Sequence, residues 1–491
     1  MWTPARRPNP TPGAPASAAQ LEEWQLLPAR SDEVIAYTAW QMSGICAILT
    51  LATLIVPEIS IGPPLVLLFF LVIYLNARKR LRDLVLVEGI VLTLYSLTPY
   101  SGSVGADTLS NAYGREGGNF IHNLAIIGYF LGIRFSTSLL PTRQLNLEQR
   151  QRRLRAYTLL AAMVGAALSI LLSLVFIAMF GFVIGGSVGY SDGFGVRAQT
   201  GVGALLLSVP LAIASLSLVL ARERKFLSPF IVPPLIAFLF LFVAHGERKY
   251  IILPVMLSAI ALLRLSGIGK IVGLLVGIIM LWVLFCYFGY LRTADISITK
   301  ALDPTSLSLF MRYSDQYLAG ETLMLLATGS AAYLHVIDPL PWGGDYLLAW
   351  TMALPRFLTS IDYDPANVRF AYAWNWRTAE QGQGWGFDFW GEAYLVGNAP
   401  MVVFMAIAMT FLFRYLYVRS NERGGQGLVG AIAISGAYYA LWFQRNAIAY
   451  FIREYVVIVI LVTTLLVVAA RILVDATTVR EPGPQAPSRG S

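Results

Sequence analysis

Long apolar runs alternate with polar stretches along almost the whole chain. Helices that cross a bilayer need roughly 20 apolar residues, and about twelve runs of that length occur here. They are centred near residues 46, 68, 92, 129, 170, 212, 236, 258, 280, 407, 435 and 464, and those near 68 and 258 are the weakest. The pattern predicts an all-α polytopic membrane protein with about twelve transmembrane helices.

One polar stretch, from about residue 291 to 395, is far longer than the others. Asp303 and Pro304 form a good cap and first turn for a helix. The apolar residues that follow at helical spacing predict an amphipathic helix along the outer membrane surface, its stripe on lipid or on the bundle. Gly343 and Gly344 then interrupt the chain, and a second short apolar helix is predicted up to Arg356.

Composition and charge agree with a membrane protein and predict its orientation. Of the 491 residues, 57% are hydrophobic and only 13% are charged, which excludes a soluble globular chain. Arginines and lysines cluster after the second, fourth, sixth and tenth apolar runs, and short cytoplasmic loops collect such residues. We therefore expect both termini in the cytoplasm and the long polar stretch outside. The net charge of +8 indicates orientation and contact with anionic lipid, not nucleic-acid binding.

These expectations divide the chain into five parts. Residues 1–33 form a Pro-rich cytoplasmic tail without the apolar core of a signal peptide. Residues 34–290 carry transmembrane helices 1–9, and residues 291–395 form one large extracytoplasmic loop that contains short amphipathic helices. Residues 396–476 carry helices 10–12, and residues 477–491 form a second cytoplasmic tail.

The sequence gives little reason to expect a metal or cofactor. Its two cysteines lie in predicted spans and its three histidines are far apart. No nucleotide-phosphate loop of the Walker type occurs. Asp362-Tyr363-Asp364 has the form of a metal-binding acidic triplet of glycosyltransferases, but Pro365 favours a turn. We predict activity without metal or cofactor.

Arginine and aromatic residues mark the candidate binding residues. Arg312, Arg377 and Trp385 belong to an interleaved set in the long polar stretch, which suits a ligand with phosphate and sugar parts. Arg248 and Arg445 come in predicted outer loops, where the positive-inside bias disfavours them; anchoring at the membrane interface is the alternative reading.

Glu88 lies in the middle of the predicted third span, where an isolated carboxylate is costly. It must pair or line a cavity, and His122 and Arg134 are conceivable partners.

Four motifs in the long polar stretch carry a family resemblance. They are Gly344-Asp345-Tyr346, Pro355-Arg356, Asp364-Pro365 and the run from Gly386 to Gly397, which contains Glu392-Ala393-Tyr394. Their order resembles the large periplasmic loop of Wzy-type oligosaccharide repeat-unit polymerases, the O-antigen and exopolysaccharide polymerases. Asp364 stands where that family has Lys, and Val396 where it has Asn.

The resemblance implies a bacterial inner-membrane enzyme that joins undecaprenyl-pyrophosphate-linked oligosaccharides into a polymer. Arg248, Arg356 and Arg445 would then stabilise the departing pyrophosphate. Glu392 is the first candidate for the base and Asp388 the second, although an acid at the start of the tenth span can also be structural. A chain-length regulator and a flippase are further partners of this family.

Two other classes stay open. A ligase that moves finished glycan from the same carrier to an acceptor would use similar arginines, with His335 as a candidate base. A transporter would place its polar residues at mid-membrane and often show paired halves.

Overall fold

The computed structural model describes residues 18–78, 83–97, 112–140, 303–312, 314–340, 343–353, 363–380, 386–422 and 443–478, with isolated helical positions between 160 and 178, 273 and 291, and 432 and 439. The α-helices are α1 Ala18–Thr53, α2 Gly62–Arg78, α3 Leu84–Leu97, α4 Glu116–Leu139, α5 Pro304–Arg312, α6 Ser314–Tyr333, α7 Gly344–Leu348, α8 Ala366–Glu380, α9 Phe389–Glu422, α10 Ile448–Phe451 and α11 Leu461–Thr478. Short 3-10 helices cover Pro57–Ile61, Ala349–Ala353 and Phe443–Arg445, and a π-helix covers Ile452–Ile460. No strand occurs in these ranges.

Three of the described helices are long and apolar enough to cross a membrane. They are Asp32–Thr53, Pro57–Leu75 and Phe389–Arg419, and Leu84–Leu97 and Leu461–Val474 are shorter apolar helices. The predicted spans near residues 212, 236 and 258 lie outside the described residues. The helical fold class is therefore confirmed, and the number of twelve spans stays a prediction.

Helices α1, α2, α3, α4 and α9 pack into one bundle whose two ends are marked by different polar contacts. At one end, which we name the Arg414 end, Arg414 late in α9 meets Asp32 of α1 and Asp83 just before α3. At the other, the Asp388 end, His122 early in α4 meets Ser96 late in α3 and Asp388 just before α9. The described helices α1 to α4 therefore alternate in direction, and α9 runs parallel to α4.

The described part of the long polar stretch joins the bundle at the Asp388 end. Gly118 of α4 and Gly329 of α6 bring their helices into close contact, because a Cβ on Gly118 would lie 2.2 Å from the carbonyl oxygen of Leu326. Gly391 of α9 faces the same point, because a Cβ added to Gly391 would lie 3.1 Å from the Cα of Gly329. The second half of α6 is thus buried against the bundle.

Two local predictions in this stretch are confirmed. The side chain of Asp303 accepts a hydrogen bond of 3.1 Å from the backbone N–H of Thr305, as a helix cap does. Gly343 has φ +68, a left-handed conformation that suits glycine. It turns the chain directly before α7.

Helix α9 contains a break that separates its first two turns from the rest. Asn398 has φ +55 and Pro400 follows two residues later, where its ring removes a helical N–H donor. The first two turns, Phe389 to Val396, therefore form a short helix that is separate from the rest of α9. This short helix contains Glu392.

Candidate functional site

The two carboxylates proposed as bases have different surroundings. Asp388 is fully buried and caps α9: its Oδ1 accepts from the N–H of Trp390 at 3.2 Å and its Oδ2 from that of Gly391 at 3.1 Å. Its own backbone N–H donates to the hydroxyl of Thr328, and its Oδ1 lies 3.3 Å from His122 Nε2. Asp388 is therefore occupied in holding α9, α6 and α4 together.

Glu392, one turn later, has a carboxylate oxygen to spare. It is 1% exposed, and its Oε2 accepts a short hydrogen bond from the backbone N–H of Ile448, at the start of α10. Its Oε1 has no hydrogen-bond partner in the part of the chain that the structure describes. Of the two acids, Glu392 is the one whose oxygen can accept a proton, or a hydrogen bond from a hydroxyl, of a ligand.

A second acid, Asp345 of α7, lies close to Glu392 but is fully paired. Its Oδ1 forms an ion pair with Arg369 of α8, and its Oδ2 accepts from the N–H of Leu340 at 3.1 Å. Arg369 also donates to the carbonyl of Asp364 at 3.2 Å. This arginine, 20% exposed, connects the buried acid to the surface of the site.

Two tyrosines complete the group around Glu392. The hydroxyl of Tyr363 donates to the Asp345 carbonyl at 3.1 Å, and the hydroxyl of Tyr346 is buried without a partner among the described residues. Burial raises the pKa of Tyr346 and of Tyr363, and the negative charges of Glu392 and Asp345 raise both further. Both phenols therefore stay protonated near neutral pH and can donate hydrogen bonds. We call Asp345, Tyr346, Tyr363, Arg369 and Glu392 the Glu392 cluster.

The segment with Arg445 is tied to the same short helix. The carbonyl of Arg445 accepts from the backbone N–H of Phe387 at 3.1 Å, and the Phe443 ring lies 4.8 Å from the Phe389 ring, edge to face. A Cβ on Gly386 would lie 3.7 Å from Arg445 Nε, so the arginine side chain passes beside this glycine. Arg445 is therefore next to the start of α9, close to the turn that carries Glu392.

The remaining predicted site residues fall into two groups. Arg248, Arg356 and Trp385 lie outside the described residues. Arg312 at the end of α5 and Arg377 of α8 are exposed, and Arg377 lies over the ring of Trp376 at 5.4 Å. Both arginines thus face outward, whereas Glu392 is buried.

The prediction of His122 or Arg134 as the partner of Glu88 is wrong. Glu88 is buried in α3, and its Oε1 accepts a hydrogen bond of 3.2 Å from the hydroxyl of Thr410 in α9. His122 instead meets Ser96, eight residues further along α3 and about 12 Å away along the helix. Arg134 is exposed and donates to Ser138 on its own helix.

Ser96, His122 and Asp388 have the residue types of a hydrolytic triad but not its geometry. Ser96 lies 3.2 Å from His122 Nδ1 and Asp388 contacts Nε2, the reverse of the nitrogens used in that triad. All three side chains are buried, with Ser96 at 2% exposure. The arrangement joins α3, α4 and α9.

Several residues of the site were not singled out from the sequence. Tyr346 and Asp345 belong to the Gly-x-Tyr motif, so the motif itself was the available signal. Arg369 was only one of several arginines in the long polar stretch, and Gln444 had no signal besides its neighbour Arg445. His335 has φ +53, is exposed, and lies against the ring of Tyr394 at 6.2 Å between ring centres.

The comparisons with known proteins name no relative. No protein-family model, no curated protein and no solved structure matches this chain. The family resemblance therefore depends on the sequence motifs alone.

Proposed function

We propose that the chain is a membrane glycosyltransferase that joins lipid-pyrophosphate-linked oligosaccharide repeat units into a surface polysaccharide. The observation that carries this proposal is the meeting of motif segments that are far apart in the sequence. Glu392 of the Glu-Ala-Tyr motif lies beside Tyr346 of the Gly-x-Tyr motif, and the Asp364 carbonyl is held by Arg369 of the same cluster. The Arg445 segment contacts the residue before this helix.

In the proposed reaction, a hydroxyl of one repeat unit attacks the anomeric carbon of the other. The new carbon–oxygen bond forms as the bond between that carbon and the lipid pyrophosphate breaks. Glu392 takes the hydroxyl proton through its unpartnered Oε1 and later returns it to solvent. Because pyrophosphate is already a good leaving group, stabilising its charge is the larger task, and arginine suits diphosphate oxygens.

Arg445 is the described arginine proposed for that role, with Arg248 and Arg356 as its proposed partners. We place the Asp388 end at the outer face of a bacterial inner membrane, with both termini in the cytoplasm. This orientation agrees with Arg78 and Arg419, which end α2 and α9 at the Arg414 end. Lipid-linked substrates delivered to the outer leaflet would reach the Glu392 cluster from that side.

The test is deletion of the gene in its host, followed by gel analysis of surface and lipid-linked glycans. We expect the polymer to collapse to single repeat units and to return when the intact gene is supplied. Full-length chains that accumulate on the lipid carrier would instead identify a ligase. Unchanged glycans would overturn both activities.

A further inference from the structure

Gln444 is a buried amide whose hydrogen-bonding groups are unused. Its side chain is 1% exposed, and neither its Oε1 nor its Nε2 has a partner within the described ranges. Buried polar groups are almost always paired, because an unpaired amide loses its bonds to water without replacement. A polar group that the described residues do not supply is therefore expected beside Gln444.

The position of Gln444 is fixed relative to Glu392. On one side of it, Phe443 packs on Phe389, three residues before Glu392. On the other side, the Ile448 N–H donates to the Glu392 carboxylate. The amide is held in a short segment whose two flanks both contact the first turn of α9.

The unpaired groups on these contacting segments have a mixed hydrogen-bonding character. Gln444 offers two N–H donors and one acceptor oxygen, Tyr346 offers a hydroxyl, and Glu392 offers its Oε1 as an acceptor. A sugar hydroxyl both donates and accepts and can use all of these. A phosphate has few protons to donate and would be repelled by the buried carboxylate.

We propose that Gln444, with Tyr346 and Glu392, forms a subsite that binds hydroxyls of the acceptor sugar, and that Gln444 determines which sugar is accepted. The assignment to the acceptor rests on the proposed function; the binding of a neutral saccharide does not. A site that hydrogen-bonds a hydroxyl rejects an analogue without it, since its own buried groups are then left unpaired. Gln444 is thus a specificity residue, and Glu392 remains the proposed base.

The experiment measures saccharide binding by the full chain in detergent. The probe is the repeat-unit oligosaccharide released by mild acid from the host's lipid carrier, and calorimetric titration gives its Kd. We expect Gln444→Leu to weaken binding at least about tenfold, as the loss of one well-placed hydrogen bond does. The matched control is Gln41→Leu, which makes the same change at an exposed position of α1 and should bind like the unchanged protein.

Thermal unfolding separates loss of binding from loss of fold. Gln444→Leu should keep or raise the unfolding midpoint of the ligand-free protein, because it removes an unpaired buried amide. A clear fall in the midpoint would show that Gln444 has a structural partner and would overturn the subsite. Equal Kd values for Gln444→Leu and the unchanged protein, or no saccharide binding by either, would also overturn it.

These outcomes are independent of the gene deletion. If the deletion leaves surface glycans unchanged but Gln444→Leu abolishes saccharide binding, the polymerase function is wrong and the saccharide subsite stands. If the deletion abolishes polymer while Gln444→Leu binds normally, the polymerase function stands and the subsite is wrong.

Discussion

The two ends of the bundle use nearly the same charged residues in opposite ways. At the Arg414 end, two acids, one arginine and a tyrosine are buried together: Asp32 and Asp83 lie 3.2 and 3.8 Å from the two terminal nitrogens of Arg414, and Tyr74 donates to Asp83 at 2.6 Å. The Glu392 cluster also contains two acids and one arginine. There, however, the arginine is paired with Asp345, and among the described residues Glu392 is held only by a backbone N–H.

The difference lies in what the arginine contacts. An arginine between two carboxylates neutralises much of their charge inside the fold, and its removal would leave both acids buried without a cation. A carboxylate that receives one backbone hydrogen bond keeps lone pairs for another molecule. The same residue types therefore connect four helices at one end, α1, α2, α3 and α9, and at the other leave a carboxylate oxygen without a partner among the described residues.

The largest effect is expected for Glu392→Gln. Glutamine keeps the size and the acceptor for the Ile448 N–H but cannot take a proton, so the rate of polymer formation should fall by about 10²–10⁴-fold. Assembly from purified lipid-linked repeat units measures this rate. Glu380→Gln, at an exposed end of α8, is the matched control. A rate within threefold of the unchanged protein would rule out Glu392 as the base.

Arg414→Met should lower the stability of the fold and leave the activity of the folded protein unchanged. It leaves Asp32 and Asp83 buried without their arginine, at a cost of about 3–5 kcal/mol in the free energy of unfolding. Thermal unfolding in detergent measures the loss, and the activity per folded molecule should persist. Arg419→Met, an exposed arginine that lies 5.5 Å from the Tyr415 ring, should change stability by only ~0.5 kcal/mol. Equal stability of the two variants would show that the buried contacts of Arg414 are not structural.

Ser96→Ala tests the polar contacts between α3 and α4 at the Asp388 end. It removes one hydrogen bond to His122, which should lower the free energy of unfolding by about 0.5–1.5 kcal/mol and leave polymer formation intact. Loss of activity with an unchanged fold would instead make Ser96 a candidate nucleophile.

Chelation should have the smallest effect. Activity is expected to survive EDTA, since the proposed leaving-group stabilisation comes from arginine side chains. Loss of activity that added Mg²⁺ or Mn²⁺ restores would favour the acidic triplet at Asp362 and Asp364 as a metal site.

Local rules predicted the parts of this protein that depend on neighbouring residues. The Asp303 cap and the break at Gly343 depend on a few consecutive residues, so the sequence contained all the necessary information. Helix type followed from the apolar runs for the same reason. Motif order singled out Glu392 and the predicted outer-loop position singled out Arg445, and the fold brings both residues to one helix end.

Tertiary packing decided which polar groups meet. The choice between Asp388 and Glu392 depends on His122, Thr328 and Ile448, which are far from them in the sequence. The partner of Glu88 depends on how α3 and α9 are shifted relative to each other along their axes. The order of charged residues in the sequence does not contain this information. The sequence determined the helices, their apolar lengths and the residue types available for chemistry. Only the packing of distant helices decided which carboxylate is satisfied and which is left open, because burial and hydrogen bonding are properties of neighbours in space.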